Sequence, residues 1–589
     1  MEMTDKRPVR LEKWISALFL VILFCYPLRH LGRGVDLWDG GYNYANFRYP
    51  GTEYMDSMWY FATWTANVTG SLLGKLPFGD RMIAMNLYTG LFVSLLATAG
   101  FLFCTKVLKL SPWLAFLGEL TACSLCWLPT ASLYNYVTFV LFTFGCIFLY
   151  LGLVRERSGY LAAAGVLLGL NVGVRFSNLI QAALILAVWS YGGIKKKSLR
   201  EICRQTLVCI AGYVGALGAF LLLMAVRYGI SEYAAGILRL FDMTDTAKEY
   251  SPLGMLTGVA AEYGKASYWI KRFALALAAG TAVCAAAPGR AVKIKRFLCL
   301  GVTAVLFGWL LTHRFFYPDF HTYQAVYDPC VMLLLSAMAV SCLFLMKRNV
   351  PGEDKLLAVL ELLIILLTSL GGNNAMFYCI NNLFLILPLH IYMVWRLWRE
   401  HGAERLLSVK TISSALVLLV CVLAVRFGNV FIYEEAGGAR QTDTAVAEIP
   451  VLRGMHTGGE KAEALTGLYR YLRESGLSGR TCILYGQIPG VAYYLELAPA
   501  LNIWSDLESY TWETMSGDLE ALSDRLAGGA EEPVVILERS WAEYLEGTGQ
   551  PEALWTETAL KKAGLLQRFL EEFGYRRVYD NGKFAVYGS

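Results

Sequence analysis

The stretch Thr206-Leu-Val-Cys-Ile-Ala-Gly-Tyr-Val-Gly-Ala-Leu-Gly-Ala-Phe-Leu-Leu-Leu-Met-Ala-Val226 runs for 21 residues without a charged side chain. About 20 apolar residues in helical rise cover the hydrocarbon core of a bilayer, so this segment reads as a membrane-spanning helix. Only a helix satisfies its own backbone N–H and C=O groups where water is absent. Comparable windows recur near residues 14–29, 82–104, 112–130, 137–154, 160–174, 178–193, 205–227, 270–287, 297–312, 330–346, 356–371, 383–396 and 411–431. The expected fold class is therefore a polytopic α-helical membrane protein of about 13 transmembrane helices. The composition agrees: 56% of the 589 residues are hydrophobic and 17% charged, against roughly 25% charged in soluble domains. The charged start, Met1 to Lys13, leads into the first window with no small-residue cleavage site after it, so that span is expected to be retained.

The connections alternate in character. One set is basic: Lys106 and Lys109; Arg155 and Arg157; Lys195, Lys196, Lys197 and Arg200; Arg290, Lys293, Lys295 and Arg296; Lys347 and Arg348; Arg396, Arg399 and Arg405. The other is longer and aromatic. The positive-inside rule places the basic set and the N-terminus in the cytoplasm of a cell-membrane protein. An odd number of spans then puts residues 432–589 outside. A net charge of +5 gives no basic surface for nucleic acid. The cysteines lie mostly in apolar runs, with no paired metal spacing.

Residues 1–431 read as the membrane domain, with a large first outer loop at 30–81, and 432–589 as a small extracytoplasmic α/β domain expected to fold on its own. An amphipathic helix is expected at Lys461–Ser475, strands at Thr481–Tyr485 and Pro533–Leu537, and a hairpin from Arg577–Tyr579 and Phe584–Tyr587 about Asp580-Asn581-Gly582. Gly486-Gln487-Ile488-Pro489-Gly490 lacks the dinucleotide spacing, and Gly70-Ser71-Leu72-Leu73-Gly74-Lys75-Leu76 lacks that of a phosphate loop. ATP-driven pumping by this chain is not expected.

Chemistry is expected on the outer side. The first loop carries Asp36-Leu37-Trp38-Asp39-Gly40-Gly41-Tyr42, where the glycine pair is read as a sharp turn toward a ligand. An aromatic interfacial segment follows (Met55 to Leu76, with Trp59, Tyr60, Phe61 and Trp64), and Arg81 opens the second span. Elsewhere on this side stand Tyr134-Asn135-Tyr136, the break Asn171 to Asn178 about Arg175, Gly371-Gly372-Asn373-Asn374, and Asn381-Asn382. A helix break at membrane depth is tolerated mainly around cavities. Asp319 and His321 are candidates for a divalent cation. Against these stand plain readings: solvated loop acids, snorkelling arginines, interface-belt aromatics, and, for Gly165 and Gly169, close helix packing.

Taken together, the first span, the outer loop with Asp39-Gly40-Gly41-Tyr42, the interfacial helices, Arg81 and the outer α/β tail resemble the GT-C glycosyltransferases. The nearest likeness is to the bacterial branch related to protein O-mannosyltransferases and the aminoarabinose transferase of lipid A. That resemblance implies a catalytic acid at Asp39, with Asp36 the competing choice, and a polyprenyl-phosphate sugar as donor. The acceptor would be a lipid, glycan or protein. Many relatives carry adjacent acids where this chain has Asp39-Gly40. Arg81 and Arg175 are candidates to meet the donor phosphate, and Tyr42, Asn135, Asn373 and Asn374 to bind substrate. A flippase for lipid-linked glycans, a glycan polymerase or ligase, and a non-catalytic binder of lipid-linked glycan remain open alternatives.

Overall fold

The computed structural model of the chain describes residues 9–50, 57–246, 252–286, 292–370, 375–400, 406–552 and 555–588. Asn373, Asn374, Arg290 and Arg405 lie outside them. Among the described residues, nine helices are long and apolar enough to cross a membrane, so this is a multi-pass chain. All thirteen expected windows hold helix, but not all at spanning length. The helices Pro112–Leu125 and Ile386–Arg399 have 14 residues each and Ser158–Val174 has 17. Gly352–Ser369 has 18 but carries Glu353, Asp354, Lys355 and Glu361. A hydropathy window averages over such charges and breaks, and so it takes in these helices together with those of spanning length.

Local signals set the helix limits. Leu199–Tyr228 begins where the Ser198 hydroxyl accepts from the Glu201 N–H and ends at Gly229, whose φ is +87°. The glycines spaced by four do allow close packing. A Cβ on Gly165 would stand 2.1 Å from the Cys209 carbonyl oxygen, and one on Gly169 2.4 Å from that of Tyr213.

Several of the basic connections gather together at one end of the helical body, and the first loop meets the tail at the other. At the basic end, Lys197 pairs with Glu156 and Glu201, Lys195 with Glu353, Arg396 with Asp354, and Lys347 with Glu400. At the other end Val35, Leu37, Tyr44, Leu133 and Val174 share one core with the tail residues Leu484, Ile488, Tyr494 and Val586.

The tail carries two sheets. A short ribbon joins β1 (Thr444–Ala445) to β2 (His456–Thr457). The larger sheet holds β3 (Thr481–Tyr485), β4 (Ala498–Pro499), β5 (Val534–Glu538), β6 (Arg576–Asp580) and β7 (Phe584–Gly588), in the order β4-β3-β5-β7-β6. β3 runs parallel to β4 and β5; β7 is antiparallel to β5 and β6. Side chains alternate across it, as the pleat requires. Leu484, Ile536 and Val586 face the first loop and helix Gly459–Glu474. Ile483, Val535 and Tyr587 face helices Trp512–Ala527 and Glu557–Glu572.

Candidate active site

The first loop is held from outside, almost residue by residue, by the tail. Gly34 N–H donates to the His456 carbonyl (2.9 Å), and His456 N–H donates to that of Gly32 (2.8 Å). Val35 N–H donates to Glu435 Oε1 (3.0 Å), while Lys461 Nζ reaches the Val35 carbonyl (3.1 Å), the Glu434 carbonyl (3.0 Å) and Glu435 Oε1 (3.0 Å). The Tyr494 hydroxyl donates to the Asp36 carbonyl, and Gly490 N–H to that of Leu37 (2.8 Å). The segment Gly486–Gly490 is thus a docking loop for residues 36–41.

Two carboxylates emerge from this clamp in different roles. Asp36 is 4% exposed; its Oδ1 accepts from Trp38 N–H (2.8 Å) and its Oδ2 from Gly40 N–H (2.5 Å). It thereby caps the helix Asp39–Arg48, satisfying donors that the first turn leaves without partners. Burial, reinforced by Asp39, pushes its carboxyl up to about 7 despite those two bonds. Asp39 occupies the first turn of that helix, where a negative charge meets the positive end of the dipole. Its Oδ2 accepts from the Tyr433 hydroxyl at 2.8 Å. Burial raises its pKa, and the tyrosine bond opposes the rise.

Gly40 and Gly41 do not form the expected sharp turn; both are helical and serve close approach. A Cβ on Gly41 would lie 2.2 Å from Gly490 Cα, and one on Gly40 2.9 Å from Asp36 Oδ2. Only glycines allow this helix to sit so tightly on the docking loop and on its own capping acid.

Beside the acids lies a cavity of about 150 Å³, lined by Arg29, His30, Asp36, Gly40, Trp127 and Tyr433 among others. Asp39 stands between two lining residues in sequence and is bonded to a third. One wall is aromatic: Trp127 stacks between Tyr323 (5.2 Å, 21°) and Tyr433 (6.0 Å, 15°). Asn381 fixes that wall, its Oδ1 accepting from the N–H groups of Trp127 (2.9 Å) and Leu128 (3.2 Å). Arg29 and His30 close the membrane side by binding the Gly428 carbonyl at the end of helix Leu407–Val430. Burial, with Arg29 alongside, pulls the His30 pKa down to about 4, so its ring is neutral near pH 7.

The remaining sequence candidates lie elsewhere. Arg81 rests over the Phe78 ring (5.5 Å) and does not line the cavity. Arg175 stands over the rings of Tyr134 (5.7 Å) and Tyr378 (5.1 Å). The asparagines flanking it are bound to one another's surroundings: Asn171 Nδ2 donates to Gln181 Oε1 (2.7 Å), Asn178 Nδ2 to Thr138 Oγ1 (2.7 Å), and Gln181 Nε2 to Asn178 Oδ1 (3.1 Å). Tyr42 packs against Trp504 of the tail (5.4 Å). Asn135 is buried, and its Oδ1 has no hydrogen-bond donor among the described residues. Asp319 Oδ1 accepts from the backbone N–H of His321 (3.0 Å), and no three His, Cys, Asp or Glu side chains among the described residues come together as a metal set.

Sequence reasoning missed Trp127, Tyr433, Glu434, Glu435, Lys461 and Tyr494. One signal was available. Tyr433-Glu434-Glu435 places two acids just beyond the last span, as Asp36 and Asp39 stand just beyond the first. Glu434 also takes a φ of +54°, a conformation a side-chain-bearing residue adopts at a cost and seldom outside turns and sites. The other three, Trp127, Lys461 and Tyr494, are brought to the site only by folding.

No protein-family model matches the chain, and no curated protein matches it. Among solved structures it is similar to the oligosaccharyltransferase of Archaeoglobus fulgidus in complex with Zn and sulfate, at 12% identity and a TM-score of 0.49, covering 93% of this chain and 70% of that one. It is similar to ArnT from Cupriavidus metallidurans bound to undecaprenyl phosphate, at 11% identity and 0.40, covering 98% of each. It is also similar to the arabinosyltransferase EmbB from Mycobacterium smegmatis, at 12% and 0.33, covering 79% and 44%. Identities and TM-scores this low leave the functional case to the residues themselves.

Proposed function

We propose that the chain is a membrane glycosyltransferase that moves a sugar from a polyprenyl-phosphate donor to a hydroxyl acceptor at the extracytoplasmic face. The observation that carries this reading is Asp39: a carboxylate of raised pKa, with one oxygen held by Tyr433, beside a cavity at the loop end of the helical body. In this reading Asp39 is the general base. It takes the acceptor proton as the acceptor oxygen attacks the anomeric carbon, and the polyprenyl phosphate leaves. A base whose pKa lies nearer the working pH is better matched to that task. Asp36 shapes the loop, since both its oxygens are committed to backbone N–H groups.

Departing phosphate needs cationic partners. Arg33 and Arg29 line the cavity and are assigned that part; Arg81 and Arg175 remain proposals for contacts farther along the donor, as Tyr42, Asn135, Asn373 and Asn374 do for the sugars. A divalent cation would find here one oxygen of Asp39 that has no hydrogen-bond donor among the described residues. The topology proposed with this reading has thirteen crossings, an N-terminus inside, and residues 432–589 outside as a domain that clamps the first loop. ArnT, whose structure holds undecaprenyl phosphate, is a source for the donor panel rather than a support for the site. The test is sugar transfer, or hydrolysis to water, by the purified full chain in liposomes given a panel of undecaprenyl-phosphate sugars. Turnover of one donor is expected; movement of donor across the bilayer without cleavage would replace this reading with a flippase.

A further inference from the structure

Glu434 follows a residue of one space and lines another. Its neighbour Tyr433 bonds Asp39 and lines the cavity of about 150 Å³, whereas Glu434 itself lines a second space of about 940 Å³ on the tail side. That groove runs between residues 434–441, the first turn of helix Gly459–Glu474, and the turn Asn581–Lys583 that joins β6 to β7. Its size falls near the upper end of the ~300–1,000 Å³ usual for ligand sites.

The lining narrows the occupant. No apolar side chain larger than alanine lines the groove, so a lipid chain or the apolar side chains of a peptide would gain little by entering it. Glu435 and Lys461 are spent on each other at 3.0 Å. What remains is the carboxylates of Glu434, Glu460 and Glu463, the amide of Gln441, and the single ammonium of Lys583. Acids therefore exceed bases, which repels a polyanion. Acceptors and donors stand side by side, which suits hydroxyl groups that both give and take hydrogen bonds.

One wall of the groove is fixed by its own bonds. Asn581 donates to the Ala464 carbonyl (2.8 Å) and accepts from Lys583 N–H (3.2 Å) and Phe584 N–H (2.9 Å). Arg539 N–H donates to the Lys583 carbonyl (2.9 Å). A turn fixed in this way presents Lys583 with little ordering cost on binding.

We propose that this groove seats the acceptor, and that the acceptor is an uncharged or amine-bearing oligosaccharide. It would deliver a hydroxyl to Asp39 from the tail side while the donor phosphate occupies the membrane-side cavity. The inference rests on the transferase reading of Asp39. In the step itself the acceptor O–H bond breaks and its proton goes to the Asp39 carboxylate. The acceptor oxygen bonds to the anomeric carbon, and the carbon–oxygen bond to phosphate breaks with its electron pair leaving on the polyprenyl phosphate.

The experiment is saturation-transfer NMR on the full chain in nanodiscs, with three probes: chitotetraose, the glucosamine tetramer and tetragalacturonate. Saturation should reach the first two and be about tenfold weaker for the third. Gln441→Trp fills the groove without touching Asp39; it should abolish the oligosaccharide signals and leave undecaprenyl-phosphate binding unchanged. Equal signals from tetragalacturonate, signals indifferent to Gln441→Trp, or binding of a neutral serine-rich peptide in place of the oligosaccharides would each overturn the proposal. If the groove fails while donor turnover persists, the acceptor assignment falls alone. If the oligosaccharides bind and no donor is ever consumed, the groove stands and the transferase reading falls.

Discussion

Two polar interruptions face the same end of the helical body, and they differ in who satisfies them. At residues 171–181 the amides of Asn171, Asn178 and Gln181 are bound to one another and to Thr138, while Arg175 lies across two aromatic rings. That break is a knot tied to itself and to Thr138, in which Asn171 Oδ1 has no hydrogen-bond donor among the described residues. At residues 35–41 the Val35 N–H and the carbonyls of Val35, Asp36 and Leu37 are satisfied by groups more than 390 residues away in the chain. The carboxylate of Asp39 keeps one oxygen without a hydrogen-bond donor among the described residues, beside a cavity. A buried polar group bonded chiefly to its own neighbours is a fixture of the fold. One that is held rigid by others, with bonding capacity left over, is equipped to meet a substrate.

The largest expected effect follows from that contrast. Asp39→Asn should lower transfer by about 10²–10⁴-fold, the usual contribution of a general base, with folded yield intact. Arg175→Gln should cost less than about tenfold. Measured side by side in liposomes, equal losses would dissolve the contrast and make the Arg175 knot half of the site.

Next in size is a pH effect on stability. Burial holds Asp36 at about 7 in the folded chain against 3.8 for the unfolded group, so the native state binds more protons between those values. Its contribution to stability is complete below about pH 4 and is lost as the pH rises toward 7. The thermal midpoint in detergent should fall across that window, and Asp36→Asn should flatten the fall. A midpoint that rises over the same range in wild type but not in the variant would show the carboxylate to be the stabilising form.

Smaller effects separate docking from knotting. Gly41→Ala drives a Cβ toward Gly490 Cα and should destabilise by roughly 1–3 kcal/mol, raising hydrogen exchange in residues 36–41 and 486–490 together. Asn178→Leu strips partners from Thr138, Asn171 and Gln181 and should cost a similar roughly 1–3 kcal/mol, with exchange rising only around 171–181. Exchange spreading from Asn178→Leu to the first loop would mean the two regions are one unit.

Much of this was legible in advance, and the limits have physical causes. The helix windows, the hairpin about Asn581-Gly582 and the strand at Thr481–Tyr485 depend on near neighbours, so periodicity and turn chemistry found them. Asp36 and Asp39 stood out because charge beyond a span is locally conspicuous. Their division of labour was not legible, because it depends on which oxygen meets which N–H. Arg81 and Arg175 attracted attention for the same reason as the acids, yet an arginine on a helix end is as well served by an aromatic ring as by a ligand. Lys461, Gly490 and Tyr494 carry no local signal, since what they hold is brought to them only when the tail docks.

The smallest effect tests the bond that joins the two ends of the membrane domain. Tyr433 follows the last span and donates to Asp39, which follows the first. Tyr433→Phe keeps the ring that stacks on Trp127 and removes one hydrogen bond to a charged group. Losing it should slow transfer by about tenfold near neutral pH, since such bonds contribute ~1.5–3 kcal/mol and part is recovered from water. The sign of the accompanying pH shift is the sharper reading. Burial raises the Asp39 pKa and the tyrosine bond lowers it, so removing the bond should move the acidic limb of kcat/KM to higher pH. The variant would then approach wild type as the pH rises and Asp39 ionises again. A uniform loss at every pH would make Tyr433 a packing residue for the cavity wall. A limb moved to lower pH would place the proton on Asp39 rather than on the tyrosine, and with it exchange the roles of base and donor at this site.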